Sequence, residues 1–260
     1  MKRREVEMLW KPGKIELLAP ARDLRSARAA IDCGADAVYM GGPRFGARQA
    51  AGNSVADIAA VAEYARRFGV RVYVTLNTLL FDDELADAER IARQVVEAGA
   101  DALIVQDMAY LEMELEGVEL HASTQTFNAS PEKAAFLADC GFSRVILERN
   151  LSLEEIRRIR AATDVELECF VHGAICVCYS GRCYMSRTMS PRSGNRGDCM
   201  QACRLPYDLL DAAGNVLMAG KHLLSVRDMD LSGRLGDLLD AGVTSVSYTH
   251  LRAHETCADL

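Results

Sequence analysis

IDCGADAVYMGG (31–42), VEAGADALIVQD (96–107), LADCGFSRVILER (137–149) and LLDAGVTSVSY (238–248) share one form. Each closes a helix near an Asp, Glu or Cys, places a Gly, and then enters an apolar run. RRFGVRVYVTLN (66–77) is a looser copy. The Gly suits the left-handed residue that ends a helix. The continuous apolar run suits a strand buried on both faces, as in a parallel sheet. Repetition of helix, Gly and strand is the mark of a βα repeat.

Working outward from these phrases, strands are expected at 15–19, 37–41, 71–77, 102–106, 119–122, 144–147 and 166–171. Amphipathic helices are expected at 24–33, 55–68, 83–98, 131–140 and 153–162. Ser152 with Glu155 three residues on forms a capping box, and Asp82 is placed to cap the third helix. Right-handed crossovers between seven parallel strands predict a (β/α)8 TIM-like barrel, truncated at the last strand. An open doubly wound sheet is the alternative, weakened by the lack of GxGxxG after the first strand. The last phrase runs into SYTHLRAHETCADL (247–260), polar and without period. That segment, Cys257 included, reads as a non-native tail, and a barrel without its eighth strand would leave an open hydrogen-bonding edge. The domain reading is an extension at 1–13, the barrel at 14–246 with a cysteine-rich insertion at 172–207 after strand 7, and the tail.

The chain has 260 residues, half of them hydrophobic, enough for one sizeable core. A net charge of -7 argues against broad non-specific binding to nucleic acid or anionic membrane. The opening MKRREVEMLWKPGK lacks the apolar stretch of a signal peptide, and no run is long enough to span a bilayer. The expectation is a cytoplasmic protein whose nine cysteines stay reduced and serve a metal or redox role.

Four of those cysteines, Cys176, Cys183, Cys199 and Cys203, fall within HGAICVCYSGRCYMSRTMSPRSGNRGDCMQACRLPY (172–207), with six, fifteen and three residues between them. A segment so rich in Gly, Ser and Arg cannot fix its shape by packing, and four thiolates can hold a metal centre. By spacing alone, zinc and iron–sulfur remain equal readings. Cys178 is a fifth, uncounted thiol. Cys33, Cys140 and Cys169 lie among apolar neighbours and read as small buried hydrophobes. Asn77, Gln106, Asp107, His121, Ser123, Gln125, Glu148, Arg149 and His172 gather at carboxyl ends of the expected strands, the rim where barrel enzymes carry their sites. His172 and His121 are candidates for substrate binding or proton transfer. Glu148 and Arg149 form either a rim ion pair or a grip on a carboxylate ligand. Arg182, Arg187, Arg192, Arg196 and Arg204 make the cysteine segment basic, and Tyr179 and Tyr184 could stack on an unpaired base. Ser123 and Ser180 could be peptidase nucleophiles, but neither lies in a GxSxG elbow and no HExxH occurs.

IELLAPA (15–21), GADAVYMGG (34–42), LHASTQ (120–125), FVHGAICVCYSGRC (170–183) and GDCMQACR (197–204) together resemble the peptidase U32 family, from about residue 14 to about 246. The resemblance implies a barrel-like fold and an oxygen-sensitive [4Fe-4S] cluster on Cys176, Cys183, Cys199 and Cys203, with no ligand role for Cys178. It implies hydroxylation of an RNA base, in tRNA or rRNA, with prephenate as a source of oxygen. The closing pair with three residues between fits the RNA-modifying branch better than the quinone-pathway relatives. The family usually continues into a strand close to Lys-Ile-Glu-Gly-Arg, which this sequence replaces. A collagenase-like peptidase and a non-catalytic cluster scaffold in a hydroxylating complex are the alternatives.

Overall fold

The computed structural model describes residues 15–47 and 52–249. Seven strands follow the expected phrases: β1 (Glu16–Pro20), β2 (Ala37–Gly41), β3 (Arg71–Leu76), β4 (Ala102–Val105), β5 (Glu119–Ala122), β6 (Arg144–Ile146) and β7 (Glu166–Gly173). Helices α1 (Leu24–Asp32), α2 (Val55–Arg66), α3 (Leu85–Glu97), α4 (Pro131–Asp139) and α5 (Leu153–Ala162) lie between them. The cysteine segment holds a short α6 (Met185–Met189). After it come a hairpin, β8 (Tyr207–Leu210) and β9 (Val216–Lys221), then β10 (Met229–Asp230), α7 (Leu235–Asp240) and β11 (Ser245–Tyr248). The hairpin and β10 had no counterpart in the sequence reading.

Eight parallel strands close on themselves. β1 through β7 pair in chain order, and β11 lies parallel between β7 and β1. The barrel is therefore as expected, but the expected loss of its last strand is corrected: SVSY is that strand. Its polar look has a physical cause. Val246 faces the helices and joins the outer core, while Ser245 and Ser247 face the interior and donate to Glu16 (2.9 Å) and Glu168 (2.7 Å). The strand alternates between an apolar outer layer and an ionic inner one, so hydrophobicity alone hides it. With β11 in place the barrel leaves no open edge among the described residues. Residues 1–14 and 250–260, and Cys257 with them, lie outside the described residues.

The helix ends follow their sequence cues. Ser152 and Glu155 form the expected capping box, and Ser54 with Asp57 forms another. Asp82 does not cap α3. It begins a turn of 3-10 helix leading into α3, and the Glu84 carboxylate accepts from the Phe81 N–H (2.9 Å). Of the three cysteines read as buried, Cys169 is buried and its thiol is pushed up to about 12 by burial. Cys140 is half-buried, and Cys33 is exposed, because as the C-cap of α1 it sits past the helix's buried stripe.

The interior is packed, as barrel interiors are. Leu18, Ala37, Tyr73, Ala102, Ile104 and Ile146 fill it, with Tyr39 and Phe170 against them. At the amino-terminal end a charged network plugs it. Arg144, 1% exposed, donates to Glu16 (2.6 Å), Glu166 (2.6 Å) and more distantly Glu168 (3.5 Å). Arg71 pairs with Glu16, and Tyr73 donates to the same carboxylate (2.9 Å).

Candidate functional site at the carboxyl-terminal rim

The cysteine segment leaves β7 at Gly173 and folds back over the barrel mouth. Two glycines make this possible. Gly173 (φ +129) passes so close to Thr249 that a Cβ would stand 1.9 Å from its Oγ1. Gly181 (φ +69) lies against the rim, where a Cβ would come 1.8 Å from the Gln125 carbonyl oxygen. Only a residue without a side chain can adopt that conformation at that distance.

Side chains from the rim then tie the segment down. Glu148, 8% exposed at the end of β6, accepts from the Ser180 hydroxyl (2.8 Å) and the Ser180 N–H (3.3 Å). Arg149 donates to the Ala174 carbonyl (2.5 Å) and stacks over Phe170 at 4.0 Å. On the far side, Arg196 grips Glu84 through both terminal nitrogens, each at 2.7 Å, and holds that carboxyl down at about 2. Arg204 donates to Ser225 (2.7 Å) and to the Val226 carbonyl (3.0 Å), linking the segment to the chain after the hairpin.

Beneath this cover the rim residues are joined to one another. Asn77 donates to Ser123 (3.0 Å) and accepts from the Ala47 N–H (2.8 Å). Asp107 accepts from Leu80 and Ala109 N–H groups (2.9 and 3.0 Å). Gln106 donates to the Gln125 carbonyl (3.1 Å), and its buried Oε1 has no donor among the described residues. Asn128, which the sequence reading missed, donates to three carbonyls, of Ala122, Ser123 and Ile146, and so joins β5 to β6. Nothing in its local sequence marks it, since all three partners are set by tertiary pairing.

Cys176 and Cys203 each lie within electrostatic reach of the other and of Cys183 and Cys199. Cys203 is pushed up by burial and then by its neighbours Cys176, Cys199 and Cys183. Cys176 is pushed up by burial, against the nearby Arg149 cation, and further by Cys199, Glu148 and Cys183. The sulfur of Cys199 accepts from the Gln201 N–H (3.3 Å) and lies 3.8 Å from the Ser186 hydroxyl, which points at it. All four are free thiols. Cys178 lies beside Cys183, and its own thiol points to the Arg182 carbonyl (3.7 Å). Among the described residues, no three His, Cys, Asp or Glu side chains converge closely enough to chelate a single metal ion.

The expected catalytic residues divide. Glu148 and Arg149 stand at the rim against the cysteine segment. Near the end of β7, His172 lies in register with Asp230 of β10 and Tyr248 of β11, just past the irregularity where β7 carries one residue more than β11. His121 is elsewhere. It is fully buried inside the barrel, paired in register with Ile104 and Arg144, edge-on to Tyr73 and 3.3 Å from Glu119. Burial and the Arg144 cation push it down to about 4, so it sits neutral in the ionic plug, away from the rim. Of the two serines, Ser180 is held by Glu148 directly, and Ser123 joins Asn77 and caps the turn at Gln125.

Comparison with known proteins bears on this rim. The sequence profile described as Peptidase family U32 matches residues 22–247. The chain is 55% identical over 232 residues to a 23S rRNA 5-hydroxycytidine synthase of Escherichia coli, covering 89% of this chain and 36% of that protein. It is 35% identical over 243 residues to a tRNA hydroxylation protein of Bacillus subtilis, covering 90% of this chain and 58% of that one. The chain thus spans between about a third and three fifths of the curated relatives it matches. The solved U32 peptidase Mk0906 superposes with a TM-score of 0.59 at 14% identity, over 95% of this chain and 97% of that one, a likeness of fold.

Proposed function

The chain belongs to peptidase family U32, and from that premise we propose that it takes part in hydroxylating an RNA base, with a [4Fe-4S] cluster held by Cys176, Cys183, Cys199 and Cys203. The observation that carries the reading is the docking of the cysteine segment over the barrel mouth, with its four thiols grouped beside Glu148 and Arg149. A tetrahedral zinc, at a Zn–S distance of about 2.3 Å, would draw four thiolates to about 3.8 Å of one another. A polynuclear cluster asks for thiols spread round a larger centre. The N–H directed at Cys199 suits such a centre, since hydrogen bonds to ligand sulfur tune cluster potentials.

Such a cluster would supply one-electron chemistry at the rim. The protein's own groups have other work. Replacing a base C–H by C–OH takes two electrons from the base, so it needs an oxygen source and, where that source is at the hydroxyl level, a separate two-electron acceptor from outside the protein. Arg149, fixed on Phe170 and Ala174, would orient a small dicarboxylate co-substrate such as prephenate. Glu148 fixes the cysteine segment through Ser180, and His172 is the rim imidazole available for proton transfer. RNA is the proposed partner. No helix among the described residues is long and apolar enough to cross a membrane, and a cytoplasmic location accords with the reduced thiols the cluster needs.

Two measurements test the proposal together. Anaerobic purification is expected to give about four irons and four sulfides per chain, lost in Cys183→Ala. Nucleoside mass spectrometry of RNA from a deletion strain is expected to show loss of a hydroxylated base, restored by the wild-type gene and not by Cys183→Ala. One zinc without sulfide would overturn the cluster, and unchanged hydroxylated-base content would overturn the RNA function.

A further inference from the structure

Phe127 is bulky and yet left-handed (φ +59), the C-cap of a single 3-10 turn that follows β5. A large aromatic residue in that region is an outlier, and such backbone strain gathers at functional sites. The conformation has a visible result. It turns the Phe127 ring out to meet the cysteine segment, where Tyr179 packs on it with centroids 4.6 Å apart and the Arg182 guanidinium lies 4.6 Å from its centroid. Neither visitor is buried. Tyr179 is 56% exposed, and Arg182 is exposed with no carboxylate partner among the described residues. The two rings are tilted by 51°, and Tyr184, exposed at the start of α6, takes no part in the contact.

An exposed ring backed by a second ring, with an unneutralised guanidinium beside it, is the arrangement that binds single-stranded nucleic acid. The base lies on the ring and the cation meets the phosphate. The whole chain carries a net charge of -7, so attraction for a polyanion must be local. Ser180 and Gly181, between the two residues, are the ones pinned to Glu148 and Gln125, so the platform is anchored and adjoins the rim. We infer that Phe127, Tyr179 and Arg182 form a stacking platform for an unpaired RNA base, placing its neighbour at the cysteine-covered mouth. The inference rests on the RNA reading above and adds to it the residues that receive the strand.

The test is fluorescence anisotropy with the 260-residue chain and a labelled, unstructured RNA of ~12 nucleotides, with the same sequence as a duplex for comparison. Tyr179→Ala is expected to weaken binding about 5- to 150-fold, and Tyr179→Phe to keep it, because stacking uses the ring and not the hydroxyl. Arg182→Ala is expected to lower the slope of log affinity against log salt by about 0.7, a change Tyr179→Ala does not make. Both side chains are exposed, so thermal unfolding of the variants should match the wild type. Wild-type binding with no loss in Tyr179→Ala would overturn the platform and leave the RNA reading standing. No RNA binding by the wild type would overturn both. Displacement of the RNA by a proline-rich peptide of collagen type would overturn the platform as a nucleic-acid site.

Discussion

Arg144 answers to three carboxylates inside a closed barrel, and Arg71 brings a second cation. The carboxylates that these two cations meet are not held equally. Glu16 has the guanidinium of Arg144 at 2.6 Å. Burial opposes its ionisation, but Arg144, Arg71 and Ser245 outweigh that and bring it down to about 2. Glu168 is reached only at 3.5 Å, and burial pushes it up to about 7. A carboxyl raised from its ordinary 4.5 to about 7 favours the folded state below pH 4.5, and that contribution is lost as pH rises through 7. His121, lowered from 6.5 to about 4, acts in the opposite sense, favouring the folded state above pH 6.5 and losing that contribution as pH falls through 4. Glu168→Gln removes the first effect alone. Urea denaturation should therefore show the variant gaining stability relative to wild type between pH 4.5 and 7.5, by up to about 3 kcal/mol. An unchanged difference across that range would refute the raised Glu168 carboxyl. His121 also shows what the sequence withheld. It stands one residue before the end of β5, where a rim side chain is expected, but its direction and depth are fixed by register with Ile104 and Arg144, contacts that no local pattern encodes.

At the scale of elements, β2, β3, β4 and β6 were legible because each is announced by a helix end, a glycine and an apolar run. β11 escaped because its inner face is serine, matched to a plug that only the folded barrel assembles. In the cysteine segment, composition pointed to a covalent or metal centre, while its place over the mouth depends on glycines whose need is visible only in three dimensions. Gly181 and Gly214 separate the two demands a glycine can meet. Both have positive φ, but a Cβ at 214 would meet nothing within 4 Å, whereas at 181 it would collide with the Gln125 carbonyl. Gly214→Ala should cost about 1 kcal/mol of backbone strain and leave the segment in place. Gly181→Ala should lift the segment off the rim, seen as faster limited proteolysis between residues 174 and 206 with the barrel's thermal transition retained. Equal protease resistance in the two variants would mean that the Gly181 contact does not hold the segment.

The whole molecule is asymmetric from end to end. One end of the barrel is sealed by buried ion pairs and the middle by side chains, while the other end carries the cysteine segment, the rim polar groups and the Phe127 platform. A sealed floor and a filled interior leave the mouth as the end open to chemistry. On the RNA reading proposed above, whatever reacts at the mouth has one approach, and a modified strand would leave by the route the next strand uses to arrive. Turnover is then a queue. A hydroxylated oligonucleotide should act as a competitive inhibitor, raising the apparent KM for unmodified RNA without lowering kcat, and steady-state kinetics with added product should show lines meeting at a common kcat. A fall in kcat at constant KM would point to a second exit.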